Sequence, residues 1–262
     1  MDTSKLKDRL DGKIKASQAE SNERKVVNME KTMELAPVNV SNYVALSGNA
    51  LEIINENLQN TALSPALFDV IKSPSGGITS FSVPGLSGEN MEKELSGIIL
   101  GYTMPRAYWD TPEPVEGTPP VCFSSDSLTS SDGKACSRCE FNDFGSKDGD
   151  SNAKACKEFV EILLLRPDSI MPVIVRVSVT SKQTFLKYMT RLVGRLISLS
   201  GVVTKITLEK AVSKGGQPYA LYNFEVVGTL NQEEAANAKA FGAKFMEIIN
   251  ATEDTAPIAK AG

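Results

Sequence analysis

The sequence predicts an α+β fold that is mainly β. Three observations predict it: short alternating apolar runs from Ile78 onward, one amphipathic helix that interrupts them, and a polar insertion that holds every cysteine of the chain. With 262 residues, 41% of them apolar, the chain can bury a core in one large domain or two small ones.

Residues 1–42 are charged, polar and poorly periodic, which suits a flexible arm. Residues 43–75 read as an N-terminal helical element. In "NALEIINENL" Leu51, Ile54 and Leu58 share a helical face, and "SPALFDVI" is a short helix with Ser64 as cap and Pro65 in its first turn. The Gly, Pro and Ser of "SPSGGITSFSVPGLSG" then flank a short strand, "ITSFSV". "LSGIILGYTMPRAYW", Leu95 to Trp109, is a longer strand whose Pro105 belongs at an edge or bulge.

After the insertion, "FVEILLLRP" and "MPVIVRVSV" are strands and "SKQTFLKYMTRLVGRLISL" is a helix. Its apolar stripe is Phe185, Met189, Leu192, Leu196 and Leu199, with Lys187, Arg191 and Arg195 turned away from it. Two more strands, "GVVTKITLEKAV" and "YALYNFEVVGTL", are joined by the turn "SKGGQP"; residues 231–262 hold a last helix and a tail. Strands, a helix, then two strands is the order of a five-stranded OB-like barrel with one extra strand, here over residues 76–230 with flanking helices. A generic α+β sheet has nearly the same order.

Composition closes several functional doors. The chain has no histidine, so Ser-His-Asp and Cys-His nucleophiles, HExxH zinc peptidases and His-x-Glu deaminases are excluded. There is no GxxxxGK[ST] phosphate loop, and the acidic residues show no nuclease grouping, so no enzyme activity is expected. No window approaches a membrane span and the start lacks the apolar core of a signal peptide, which leads to the expectation of a cytoplasmic, reducing setting. The net charge of −4 is uneven: Lys157 to Gly228 holds ten Lys and Arg against five Asp and Glu, so that segment is +5 and the remainder −9. A basic segment inside an acidic protein points to an anionic partner; a solvated basic face is the plainer alternative.

The insertion, residues 110–157, has almost no apolar periodicity, and a structureless stretch that long needs something to organise it. Cys122, Cys136, Cys139 and Cys156 all lie in it, spaced C-x13-C-x2-C-x16-C. Disulfides need an oxidising compartment, and a redox CxxC belongs at the start of a helix after a strand. Structural zinc held by four thiolates accounts for the loop better, since it supplies on the order of 10 kcal/mol of ordering free energy. Unrelated free thiols are the alternative.

In "VIVRVSV" Val173, Val175, Val177 and Val179 share one face and leave Arg176 and Ser178 on a wet one. By the same alternation Val202, Thr204, Ile206 and Leu208 are buried and Lys205 and Thr207 exposed. Ala220, Tyr222, Phe224 and Val226 are buried and Tyr219 and Asn223 exposed. Tyr102, Arg106 and Tyr108 share a face next to Trp109, and Lys154 and Lys157 flank Cys156. With Lys187 and Arg191 of the helix, these cations and rings make the mixture that single-stranded nucleic acid requires, cations for phosphates and rings for bases. Strand tyrosines that merely pack are the competing reading.

"PPVCFSSDS", "CSRCEFNDFGS" and "KACK", in that order, resemble a family of bacteriophage and mobile-element proteins with a P-P-x-C-x-S start, a C-x-x-C-x-x-N-x-[FW]-G-S centre and a G-K-A-C-K-like end. "RAYW", "LLLRP" and "LEKAVSKGGQPYALYNFEVVG" also fit, so the resemblance spans roughly residues 50–230. It departs at "SNAKACK", where a glycine-rich approach to the last cysteine is usual, and "ATEDTAPIAKAG" is only weakly acidic for a phage single-strand binder. The resemblance implies a sequence-tolerant single-stranded DNA-binding protein of phage replication or recombination, in the cytoplasm of an infected bacterium, with zinc on Cys122, Cys136, Cys139 and Cys156. RNA, replication or recombination proteins and further copies of the chain are the other partner classes it suggests, and no membrane. A zinc-stabilised protein-interaction or virion-associated module without nucleic-acid binding is the alternative.

Overall fold

Strand-forming stretches occupy the middle of the chain and helices its two flanks, as a computed structural model shows for residues 36–37, 39, 42–46, 50–59, 61–111, 118–147, 153–167, 169–213 and 215–251. Nearly all of the expected arm, the tail beyond residue 251, parts of the insertion (112–117 and 148–152) and the side chain of Leu51 lie outside the described residues. The described residues all fall within one unit, Ala36–Gly262.

In chain order the elements are α1 (Ala50–Leu58), β1 (Val70–Ile71), β2 (Phe81–Gly85), β3 (Gly88–Glu92), β4 (Glu94–Thr103), β5 (Arg106–Tyr108), β6 (Cys122–Ser124), β7 (Lys157–Glu158), β8 (Val160–Leu165), β9 (Val173–Val177), α2 (Lys182–Val193), β10 (Val202–Val212), β11 (Pro218–Thr229) and α3 (Gln232–Ala251). The fold is mixed α and β with sheet predominant. A six-stranded sheet in the order β1-β9-β8-β4-β10-β11 forms its centre, with a β2–β3 hairpin and a small β6-β5-β7 sheet beside it. β4, β8 and β9 form an antiparallel meander. After α2, β10 returns to the other edge of β4 and β11 pairs outside it.

The expected barrel is not closed by a ladder among the described residues. β1 pairs in parallel with Ile174 and Val175 on the outer edge of β9, and no ladder joins β11 to that edge. A side chain reaches across instead: the Tyr222 hydroxyl of β11 donates to the Arg176 carbonyl of β9 at 3.0 Å and accepts from Ser73 Oγ at 2.9 Å.

Both faces of the sheet are buried. On one, Leu95, Ile99, Val160, Ile162, Leu164, Val175 and Val177 pack under Phe185, Tyr188 and Leu192 of α2 and Phe81 and Val83 of the hairpin. On the other, Ile98, Leu100, Leu163, Leu165 and Ile174 pack under Ile54 of α1 and Ala238, Phe241 and Phe245 of α3. Two-sided burial is why β8 reads as the continuous run "ILLL" rather than alternating. It also corrects the wet second face expected of β9, since Ile174 lies on that face, beneath α1 and α3.

α3 starts with a reciprocal cap: the Glu234 amide donates to Asn231 Oδ1 and the Asn231 amide to Glu234 Oε2, both at 2.9 Å. α3 sits close on β4 because Gly242 lacks a side chain; a Cβ there would stand 2.8 Å from the Leu100 carbonyl oxygen. Four local expectations change. The strand from Leu95 to Trp109 breaks at Met104 and Pro105 into β4 and β5. The "VI" end of the predicted short helix, Val70–Ile71, is β1. Leu196 leaves the apolar stripe of α2: the helix stops at Val193, and Leu196 takes a left-handed φ of 57° with its side chain fully exposed. Val179, expected in the core, is likewise exposed, because it follows β9 in a 3-10 turn. No described helix is long and apolar enough to cross a membrane.

Candidate nucleic-acid interface and cysteine cavity

The cysteine insertion is rooted on β5, which pairs with β6 on one side and β7 on the other. This small sheet carries Cys122 at the start of β6 and holds Cys156 just before β7. Between them Cys136–Arg138 forms one 3-10 turn and Glu140–Asn142 the next. Side-chain bonds replace the missing apolar core. Asn142 donates to the Cys136 carbonyl at 3.0 Å, and its Oδ1 accepts from Lys154 Nζ at 3.1 Å and from Arg106. Ser146 Oγ donates to the Phe141 carbonyl at 2.9 Å and accepts from the Ala155 amide at 3.0 Å, while the Cys156 amide donates to that same carbonyl at 2.8 Å. Asp126 Oδ1 collects Ser124 Oγ and the amides of Leu128 and Thr129, which holds its carboxyl below the ordinary carboxylate range. The Asn and Ser of the cysteine signature thus tie its two halves together.

All four thiols line one cavity of about 720 Å³, with Arg106, Tyr108 and Phe141 among its other walls. None is in a disulfide. Burial pushes the Cys156 thiol up to about 11; the charge of Arg106 opposes that shift and the other three thiols add to it. Cys122 is raised by burial, then by Asp132, Cys136 and Cys139. Yet among the described residues no group of three or more Cys, Asp or Glu stands together closely enough to hold a metal ion. The thiols share a cavity without converging on a point. Arg106 supplies a second observation: its terminal nitrogens pair with Asn142 and Glu158, while Nε is buried without a hydrogen-bond partner. A buried donor beside four thiols lacks an acceptor of the kind that thiolate sulfur provides. Four thiols are a donor set of the kind a thiolate-bound metal takes, but they do not stand close enough to share one ion.

The other nominated residues divide into three groups. Three cations are paired with carboxylates: Arg106 with Glu158, Arg176 with Glu161 at 2.6 Å and Lys205 with Glu225 at 2.7 Å. The rings are occupied by packing. Tyr102 meets Phe185 edge-on with centroids 5.2 Å apart, Tyr108 stacks on Phe141 at 4.0 Å, and Trp109 packs against Phe159 and donates to the Thr118 carbonyl at 3.1 Å. Tyr219 is half-buried on β11. The third group is exposed: Lys157 of β7 and Lys187 and Arg191 of α2, joined by Lys147 of the loop and Arg195 just past α2, make no ion pair among the described residues. Although the Lys157 side chain is exposed, partial desolvation by its surroundings, then the nearby charge of Lys147, lowers its pKa.

The sequence reading passed over Phe144. Asp143 accepts from the Ser146 amide, closing a turn with Phe144 second and Gly145 third, and the φ of 87° at Gly145 is what a type II turn demands there. Phe144 is 77% exposed, and Lys154 Nζ lies 4.5 Å from its ring centroid. An aromatic beside glycine in a polar loop was the available signal. No family model matches the chain, and no curated protein and no solved structure is significantly similar to it.

Proposed function

We propose that this protein binds single-stranded DNA with little sequence preference and without catalysis. The observation that carries this is a set of exposed cations: Lys147 of the cysteine loop, Lys157 of β7, Lys187 and Arg191 of α2 and Arg195 just past it make no ion pair among the described residues, whereas Arg176 and Lys205 of the sheet are paired with carboxylates. Lys147 lies near Lys157, and Lys187 and Arg191 stand one helical turn apart on α2, so each pair repels itself unless a polyanion covers it. The strand order β9-β8-β4-β10-β11, with α2 between β9 and β10, supports reading the sheet as an OB-like barrel with Tyr222 in place of its closing ladder. The phage family resemblance of the cysteine signature points the same way.

Cys122, Cys136, Cys139 and Cys156 would hold a structural zinc ion in the shared cavity. Zinc would supply the charge that lets four thiols ionise side by side, and Arg106 Nε, buried without a partner, would be available to donate to one of their sulfurs. Its role is to order the loop that carries Lys147, Lys154 and Lys157.

Fluorescence-anisotropy titration of a labelled poly-dT oligomer across a salt series tests the binding. The logarithm of affinity is expected to fall linearly with the logarithm of salt, with a slope of about −0.7 for each phosphate neutralised. A flat response, or no binding at low salt, contradicts the proposal.

A further inference from the structure

We propose that Phe144 is a base-stacking platform: one face of its ring carries the Lys154 ammonium, and the other takes an unpaired nucleobase whose phosphates run along Lys147 and Lys157. This deepens the single-strand reading above and rests on it.

Four observations place the platform. Phe144 is 77% exposed in a segment whose other aromatic, Phe141, is stacked on Tyr108, so Phe144 serves no packing role in the loop. Lys154 lies 4.5 Å from the ring centroid and is held there by a 3.1 Å bond to Asn142 Oδ1. Asn142 is itself fixed to the Cys136 carbonyl at 3.0 Å. The turn from Asp143 to Ser146, with Gly145 at φ 87°, projects the ring from the loop and is anchored by Ser146 to Phe141 and Ala155.

An exposed ring costs the free protein solubility and contributes no packing, whereas against a base it gives sequence-tolerant stacking, because every base has a π-face. Stacking requires a base free of its duplex partner, so the ring, more than the lysines, selects single strands. An acidic peptide would satisfy the lysines and leave the ring unused.

The test compares the full-length protein with Phe144→Ala, Phe144→Tyr and the double variant Lys147→Ala/Lys157→Ala. Each is titrated with a dT oligomer, an abasic oligomer of equal length, a duplex, heparin and an oligomer carrying 2-aminopurine. Circular dichroism and melting temperature check the fold. The wild type is expected to quench 2-aminopurine fluorescence and to prefer dT over the abasic strand. Phe144→Ala abolishes both effects and weakens dT binding about 5- to 100-fold, with duplex and heparin binding unchanged. Phe144→Tyr retains the wild-type behaviour.

If Phe144→Ala binds dT like the wild type while the lysine variant loses binding, the platform is wrong and the nucleic-acid reading stands. If the wild type binds heparin and acidic polymers as well as dT, without quenching, the site is purely electrostatic and the platform is again wrong. If the wild type binds no oligomer, both proposals fall.

Discussion

Tyr222 joins strands that the sheet leaves apart. Its hydroxyl, buried between β11 and β9, makes two hydrogen bonds, and Phe81 packs edge-on against its ring. Tyr222→Phe removes both bonds but leaves Ser73 Oγ donating to the Arg176 carbonyl at 3.2 Å, so the cost expected in urea unfolding at neutral pH is about 1 kcal/mol. Burial pushes this hydroxyl up to about 12 from its ordinary value of 10.0. The unfolded chain therefore releases the proton near pH 10 while the folded chain keeps it. Stability from this group is complete below pH 10 and lost as pH rises toward 12, by about 3 kcal/mol over that window. Urea unfolding followed from pH 9 to 12 should fall more steeply for the wild type than for Tyr222→Phe. Tyr222 was legible in the sequence as a buried strand position by its alternation with Ala220 and Phe224. Its bridge to β9 was not, because the partner is a backbone carbonyl 46 residues away.

At the scale of elements, two contacts decide the outcome. α3 lies on β4 through Gly242, and Gly242→Ala brings a methyl to 2.8 Å from the Leu100 carbonyl oxygen and 3.0 Å from Leu100 Cβ. Better helix propensity offsets part of this, but backbone cannot yield as a side chain would, so a net loss of about 1–3 kcal/mol and a lower melting temperature are expected. The cysteine loop is held by polar bonds and, on our proposal, by zinc. Asn142→Ala removes its bonds to Cys136, Lys154 and Arg106 at once. Limited proteolysis should then cut within residues 118–156 while the sheet and its two cores remain intact. Stripping zinc with a chelator should do the same, with about one zinc per chain released. Long periodic elements such as β8, β10, β11, α2 and α3 were readable from their sequences. β1 was not, since its two residues become a strand only through pairing with β9. Nor was the break between β4 and β5, because a proline marks an interruption without saying whether the strand bulges or ends.

For the whole molecule, alternation told which strand residues point inward, but not what lies across from them. Arg176 and Lys205 were correctly placed off the first core, yet Glu161 and Glu225, far along the chain, neutralise them. The four cysteines were legible as a group because they crowd one insertion, and they do share one cavity. The exposure of Phe144 was not legible, because the loop that carries it has no periodicity from which exposure could be read. Arg176 and Lys205 of the sheet are held in internal ion pairs, whereas Lys147, Lys157, Lys187, Arg191 and Arg195 face outward without one among the described residues. Reversing charge at Lys187 and Arg191 should therefore weaken oligonucleotide binding and flatten its salt slope by about 1.4 in total, without changing the melting temperature by more than a few degrees. The most direct measurement of the central claim is a competition titration, in which a labelled dT oligomer bound to the protein is displaced by unlabelled single-stranded DNA, duplex DNA and RNA of the same length. The account predicts that single-stranded DNA displaces the label at far lower concentration than duplex does. Equal displacement by duplex, or no complex to displace, would contradict it.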